Sequence, residues 1–342
     1  MKYLIKQILN NLYSTFGVGP LAISIFGGRG TILMFHRVLP KERLAPLKLV
    51  KGLEVDVGMF RSVLESYLQG GYSPISMDEI PEFIANDSRR RFFAVTFDDG
   101  YLDNLEVALP ILKKLNIPAC IYICNCFPNR TSSMWWYGLQ SILTKKIPLA
   151  EGFDICPASA DIETKYSILR QSIIKNYTSN SDSNLRILLE KHQFDWKSFV
   201  STETMSWENL KTIASEKLIT IGGHTVNHVN LRTLTDEAAK KEITDSKEEL
   251  ERQLNIKINH FAYPYGDVNT CQSREFRMAK NLGFSTAVTS RHGNIFSDHG
   301  NHTAMLPRIN VSGHFETLQD FLTSSNIWSF IIHNKGKRFI TA

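Results

Sequence analysis

The chain has 342 residues, with 39 Lys and Arg against 34 Asp and Glu, a formal net charge of +5, 43% hydrophobic residues and 21% charged residues. That length and apolar share can bury a sizeable core, in one large domain or two ordinary ones, and they exclude fibrous and wholly disordered classes. The positive excess is spread out, with no basic run longer than Arg89, Arg90 and Arg91, so a nucleic-acid-binding stripe is excluded too. Five cysteines in so long a chain make no disulfide scaffold, and Cys120, Cys124 and Cys126 around an apolar run read as buried strand thiols.

Residues 1–30 read as an amphipathic helix followed by a short apolar stretch. Leu4, Ile8 and Leu12 share one stripe behind Lys2 and Lys6. The stretch from Gly17 to Gly28 contains Pro20 and falls short of the roughly 20 apolar residues that a membrane span needs. Asn10, Asn11, Ser14 and Thr15 interrupt any signal-peptide centre. The expectation is a helix packed on the body or resting on a membrane surface through residues 1–28, in a cytoplasmic or membrane-peripheral protein.

The rest alternates β-rich runs with helical periodicity. Strands are expected at Thr31–Phe35, Phe92–Phe97, Ile117–Cys124, Leu218–Ile221, His260–Tyr263, Phe284–Thr289 and Leu306–Val311. Phe92–Phe97 is apolar on both faces, as a buried parallel sheet requires. Phe60, Val63, Leu64, Tyr67 and Leu68 make a helical stripe that Gly70 and Gly71 end. A helix around Leu105–Leu115 contains Pro110, tolerable only in a first turn. Thr235–Leu254 is a strong helix, with Thr235 as its cap and Asp236 and Glu237 at its positive end. About seven strands alternating with helices argue for a parallel α/β fold, open sheet or barrel. Residues 128–205 break the rhythm and read as a helical insertion, with helices near 135–144, 163–177 and 183–192. Residues 316–342 read as a tail.

Three motifs can carry chemistry. Thr96-Phe97-Asp98-Asp99-Gly100 puts two carboxylates where a strand ends, the edge at which α/β proteins place their sites. Read alone, it is equally a strand-ending turn. His224-Thr-Val-Asn-His228 offers two imidazoles four residues apart, able to chelate one divalent ion from a helical turn, or else plain surface polarity. Together these motifs make a 2-His-1-carboxylate set with a spare carboxylate to act as base. Phe261-Ala-Tyr-Pro-Tyr-Gly266 bends just past a strand and can aim a backbone N–H at an oxyanion.

In this order, the three motifs resemble those of the NodB-homology polysaccharide deacetylases (carbohydrate esterase family 4), over roughly residues 31–127 and 205–312. The resemblance implies a deformed (β/α) barrel of about seven strands and removal of acetyl groups from an acetylated glycan with a divalent metal, commonly zinc. It implies Asp98 as general base, Asp99, His224 and His228 as metal ligands, and the Tyr265 N–H as oxyanion donor. The family's third motif has an arginine where this chain has Ala262, and Arg308 is the candidate replacement. The family's general-acid histidine matches His36 in Met34-Phe35-His36, the circularly permuted order of biofilm poly-N-acetylglucosamine deacetylases. A second match is His333 in the tail. Tyr101, Pro264, Trp135 and Trp136 are expected to meet the sugar. Two other readings fit parts of the pattern: a non-haem iron oxygenase, which leaves the spare aspartate without a purpose, and a carbohydrate-binding protein without turnover.

Overall fold

The structure is a computed structural model that describes residues 28–325, apart from 87–89, 146–154, 158 and 178, together with Asn334. The reading of residues 1–28 as an amphipathic helix lies almost wholly outside the described residues, and His333 lies outside them too.

Seven strands supply the barrel: β1 (Gly30–Phe35), β2 (Phe92–Phe97), β3 (Ala119–Ile123), β4 (Ile219–Gly223), β5 (His260–Ala262), β6 (Thr286–His292) and β7 (Leu306–Asn310). All their pairings are parallel. The first strand closes the ring, pairing on one side with β2, from Gly30↔Phe92 to Phe35↔Phe97, and on the other with β7 through Leu33↔Ile309. That closure decides between the open sheet and the barrel, which periodicity alone left equal. The short strand Ser73–Pro74 adds to β2 outside the ring.

Strand side chains alternate between two apolar clusters. Ile32, Ala94, Cys120, Tyr122, Ala262, Val288 and Leu306 fall in one, inside the ring. Leu33, Phe35, Val95, Phe97 and Ile121 fall in the other, under the surrounding helices. A closed parallel barrel buries both strand faces, which is why these strands read as unbroken apolar runs. Cys120, Cys124 and Cys126 are buried free thiols, as expected.

The helices follow local signals. Helix α1 (Val57–Gln69) is capped by Asp56, whose carboxylate accepts from the Gly58 and Met59 N–H groups. Helix α2 (Leu109–Leu115) continues from a π-helical turn at Asn104–Ala108, and that wider turn brings Pro110 into the first turn of the α segment. The insertion holds α3 (Trp135–Thr144), α4 (Ile162–Asn176), α5 (Ser179–Lys191) and α6 (Trp196–Glu203), the last not expected from the sequence. Beyond it come α7 (Trp207–Ala214) and α8 (Asp236–Leu254), the latter with Thr235 as its cap. No helix among the described residues is long and apolar enough to cross a membrane.

Candidate active site

Each residue of interest leaves the carboxyl end of a barrel strand or lies near it, so the ring's closure brings them together at one mouth. Alternation along β2 turns Ala94 and Thr96 inward, and Asp98 continues that parity. Arg308, in the middle of β7, also turns inward. Its guanidinium donates to both Asp98 oxygens at 2.7 Å, to Thr96 Oγ1 at 3.2 Å and to the Thr289 carbonyl at 2.9 Å. Asp98 and Arg308 are 3% and 1% exposed, a buried bidentate pair. Burial alone would raise the Asp98 carboxyl, but the Arg308 charge and hydrogen bonds outweigh it and hold Asp98 below the usual carboxylate range. Arg308 thus meets Asp98 from β7, a different strand from the one that carries Ala262.

Asp99 follows at φ 78°, a left-handed backbone that swings its carboxylate away from its neighbour's. Its Oδ1 lies 3.2 Å from His228 Nε2 and 3.5 Å from His224 Nε2. His224 extends β4, and its Nδ1 donates to the Ala262 carbonyl at 2.7 Å, which leaves Nε2 facing Asp99. The sequence expectation of a helical turn for His224–His228 is corrected: this is an irregular loop with Thr225 at φ 67° and His228 at φ 53°. It is held by Glu242 of α8, which accepts from the Val226 and Asn227 N–H groups at 3.1 and 3.0 Å. The two imidazoles are thus presented by a strained loop fastened to a helix, as strained backbone at functional sites generally is fastened.

The three donor atoms lie within 4.8 Å of one another, and Asp99 Oδ1 is buried without a hydrogen-bond partner. A tetrahedral zinc ion with bonds of about 2.0 Å separates its ligand atoms by about 3.3 Å, close to the two distances from Asp99. The donor set therefore fits a divalent ion with open positions. Burial would raise the Asp99 carboxyl, yet the two histidines hold it well below its ordinary range; Asp99 in turn raises His224 against the pull of burial.

His36 follows β1, largely buried, with Nε2 3.9 Å from Asp98 Oδ2 and Nδ1 unpartnered. Burial lowers its pKa, partly offset by Asp99 and Asp98. Tyr265 lies past β5 at φ 62°. The Gly266 N–H donates to the Pro264 carbonyl at 2.7 Å, and Ser290 Oγ donates to the Tyr265 carbonyl at 2.6 Å. Among the described residues the Tyr265 N–H donates to no protein acceptor, as an oxyanion donor must not.

These groups line a cavity of about 300 Å³, walled on one side by Trp135, Trp136, Tyr166 and Arg170 of the insertion. Two expected sugar contacts are corrected. Tyr101 is fully buried, with Arg37 4.9 Å above its ring and its hydroxyl accepting from Trp136 Nε1 at 3.2 Å, so it offers no platform. Pro264 is buried and shapes the turn before Tyr265 rather than facing the cavity. Trp135 and Trp136 do reach the cavity but are 1% and 5% exposed, edge to face with each other, and the Trp136 ring lies 5.5 Å from that of His228. Sequence reasoning missed Thr96 and the Thr289 carbonyl as holders of Arg308, and Arg170. Thr96 stood inside a quoted motif; nothing in the helical period of α4 marked Arg170.

A closed ring of parallel strands with carboxylates and imidazoles converging at its mouth defines a hydrolase domain of the NodB barrel kind. Residues 152–287 match the family described as Polysaccharide deacetylase. That stretch of the chain is similar to a polysaccharide deacetylase domain. The matched region holds His224, His228 and Tyr265, whereas Asp98, Asp99, His36 and Arg308 lie outside it. YxkH of Bacillus subtilis (strain 168), whose name places it among the polysaccharide deacetylases, is 20% identical over 283 residues, 82% of this chain and 71% of its own. In fold, the chain is similar to the Streptococcus pyogenes deacetylase PplD in complex with acetate, with a TM-score of 0.54 and 20% identity over 86% of this chain and 97% of that one. It is also similar to IcaB from Ammonifex degensii, with a TM-score of 0.54 and 19% identity over 87% and 96%.

Proposed function

We propose that the chain removes N-acetyl groups from a glycan or glycan precursor, with a divalent ion, zinc for preference, held by Asp99, His224 and His228. The observation that carries this reading is the division of labour between neighbours in sequence. Asp99 shares its oxygen with two imidazoles, while Asp98 is gripped by Arg308 and kept anionic beside the same space. A bound divalent ion would supply a Lewis acid and lower the pKa of a bound water toward about 7.

The chain's own residues do the rest. Asp98 takes the proton of the attacking water, and the Arg308 fork fixes which way its oxygens point. The Tyr265 N–H donates to the oxyanion of the tetrahedral intermediate, a donor of a type typically worth about 3–4 kcal/mol. His36, across from Asp98, gives a proton to the departing sugar nitrogen, a step worth roughly 10²–10⁴-fold. Acetate and a free amino sugar leave. The insertion's aromatic wall excludes water from the side opposite the barrel.

The test is acetate release from acetylated glycans with metal added and chelated. Asp98→Asn is expected to keep metal and lose turnover, and His228→Ala to lose both. Full turnover in metal-free Asp98→Asn protein would end the proposal. Binding of acetylated oligosaccharide with no acetate released under any metal would favour a lectin-like role. Substrate-driven oxygen uptake with iron would favour the oxygenase reading.

A further inference from the structure

Arg170 projects from α4 of the insertion into the wall of the catalytic cavity. It is half-buried and, among the described residues, has no ion-pair or hydrogen-bond partner. The other long cations near the barrel mouth are committed: Arg308 to Asp98, and Arg37 to Asp103 and Glu203. A guanidinium held half out of water without an anion is costly unless something supplies the anion.

A second observation points the same way. The Tyr265 hydroxyl and the Trp135 indole nitrogen, both lining the cavity, are buried and face each other, and neither has any other hydrogen-bond partner. Indole nitrogen can only donate, and guanidinium can only donate. The cavity therefore offers the uncommitted Arg170 guanidinium together with the carboxylates of Asp98 and Asp99.

Arg170 lines the same cavity as Asp99, His224 and His228, so it shares the space that a glycan would enter to reach the candidate metal ligands.

Resting on the deacetylase reading above, we propose that Arg170 recognises an acidic group, carboxylate or phosphate, on the glycan bound in this cavity, so that the preferred substrate is an anionic glycan rather than a neutral one.

The test compares the full chain with R170Q, metal loaded, on three substrates: a neutral N-acetylglucosamine oligomer, an oligomer alternating N-acetylglucosamine with a uronic acid, and N-acetylglucosaminyl phosphate. Wild-type kcat/KM is expected to favour an acidic substrate over the neutral one by about ten- to a hundredfold, with the preference falling as salt rises. R170Q should remove that preference through KM, leaving kcat and the neutral substrate unchanged. A response to the uronic acid alone or to the phosphate alone supports the proposal and says which acid is read. Equal wild-type rates on acidic and neutral substrates, or an R170Q loss shared by all three, would overturn it. If wild type releases no acetate from any substrate, the deacetylase reading fails. Calorimetric binding of the neutral and uronic oligomers to both proteins then still decides the role of Arg170, because equal affinities overturn it and a ten- to hundredfold gap lost in R170Q upholds it.

Discussion

Replacing Arg308 with Met removes the partner of a carboxylate that is 3% exposed while roughly keeping side-chain volume. Two charge-assisted bonds of 2.7 Å disappear, and Asp98 is left with the desolvation that already pushes its pKa upward. Breaking a buried pair from one side typically costs about 3–5 kcal/mol. The cost should depend on pH, and its sign follows from linkage. In the wild type Asp98 titrates below its unfolded value, so it adds stability that is present above about pH 4 and lost as pH falls through the folded pKa. In Arg308→Met the folded pKa moves above the unfolded one, so stability is lost as pH rises through it. Urea unfolding at pH 5 and pH 8 should therefore show a larger deficit at pH 8, and the acidic limb of kcat/KM should move to higher pH. The double variant Asp98→Asn/Arg308→Met should be more stable at pH 8 than Arg308→Met alone, because no buried charge remains unpaired. A deficit below about 1 kcal/mol at both pH values, with the acidic limb in place, would show that the carboxylate does not depend on this arginine.

Further outcomes follow from the same geometry. Against the lowering by burial, the hydrogen bond to Asp99 raises the His224 pKa, so a metal must compete with a proton for this ring more than for a free imidazole. Calorimetry in buffers of different ionisation enthalpy should record proton release on zinc binding, with apparent affinity rising with pH between about 6 and 8. His228→Ala should remove tight binding. Gly266 sits at φ 65°, where an added Cβ would lie 2.5 Å from the Ser290 backbone nitrogen. Gly266→Ala should cost about 1–3 kcal/mol in thermal unfolding and lower kcat by displacing the Tyr265 N–H.

Local order made much of this protein legible in one dimension. The apolar strands, the Thr235 cap and the alternation of strand with helix all report short-range physics: hydrophobic period, cap hydrogen bonds and the burial of both faces of a parallel strand. The motif at Asp98 and Asp99 was readable because a strand end directs consecutive side chains apart, and the left-handed Asp99 backbone completes that separation. What only the tertiary structure decided is which distant groups share a space. Closure of β1 onto both β2 and β7 is a long-range pairing that no local period encodes, and it is this closure that brings Arg308 to Asp98 across 210 positions of sequence. Burial was decided in the same way. Tyr101 and Trp136 are both aromatic in the sequence, yet packing gave one to Arg37 in the interior and left the other at the cavity wall, because the side of an element that meets the core depends on what folds against it.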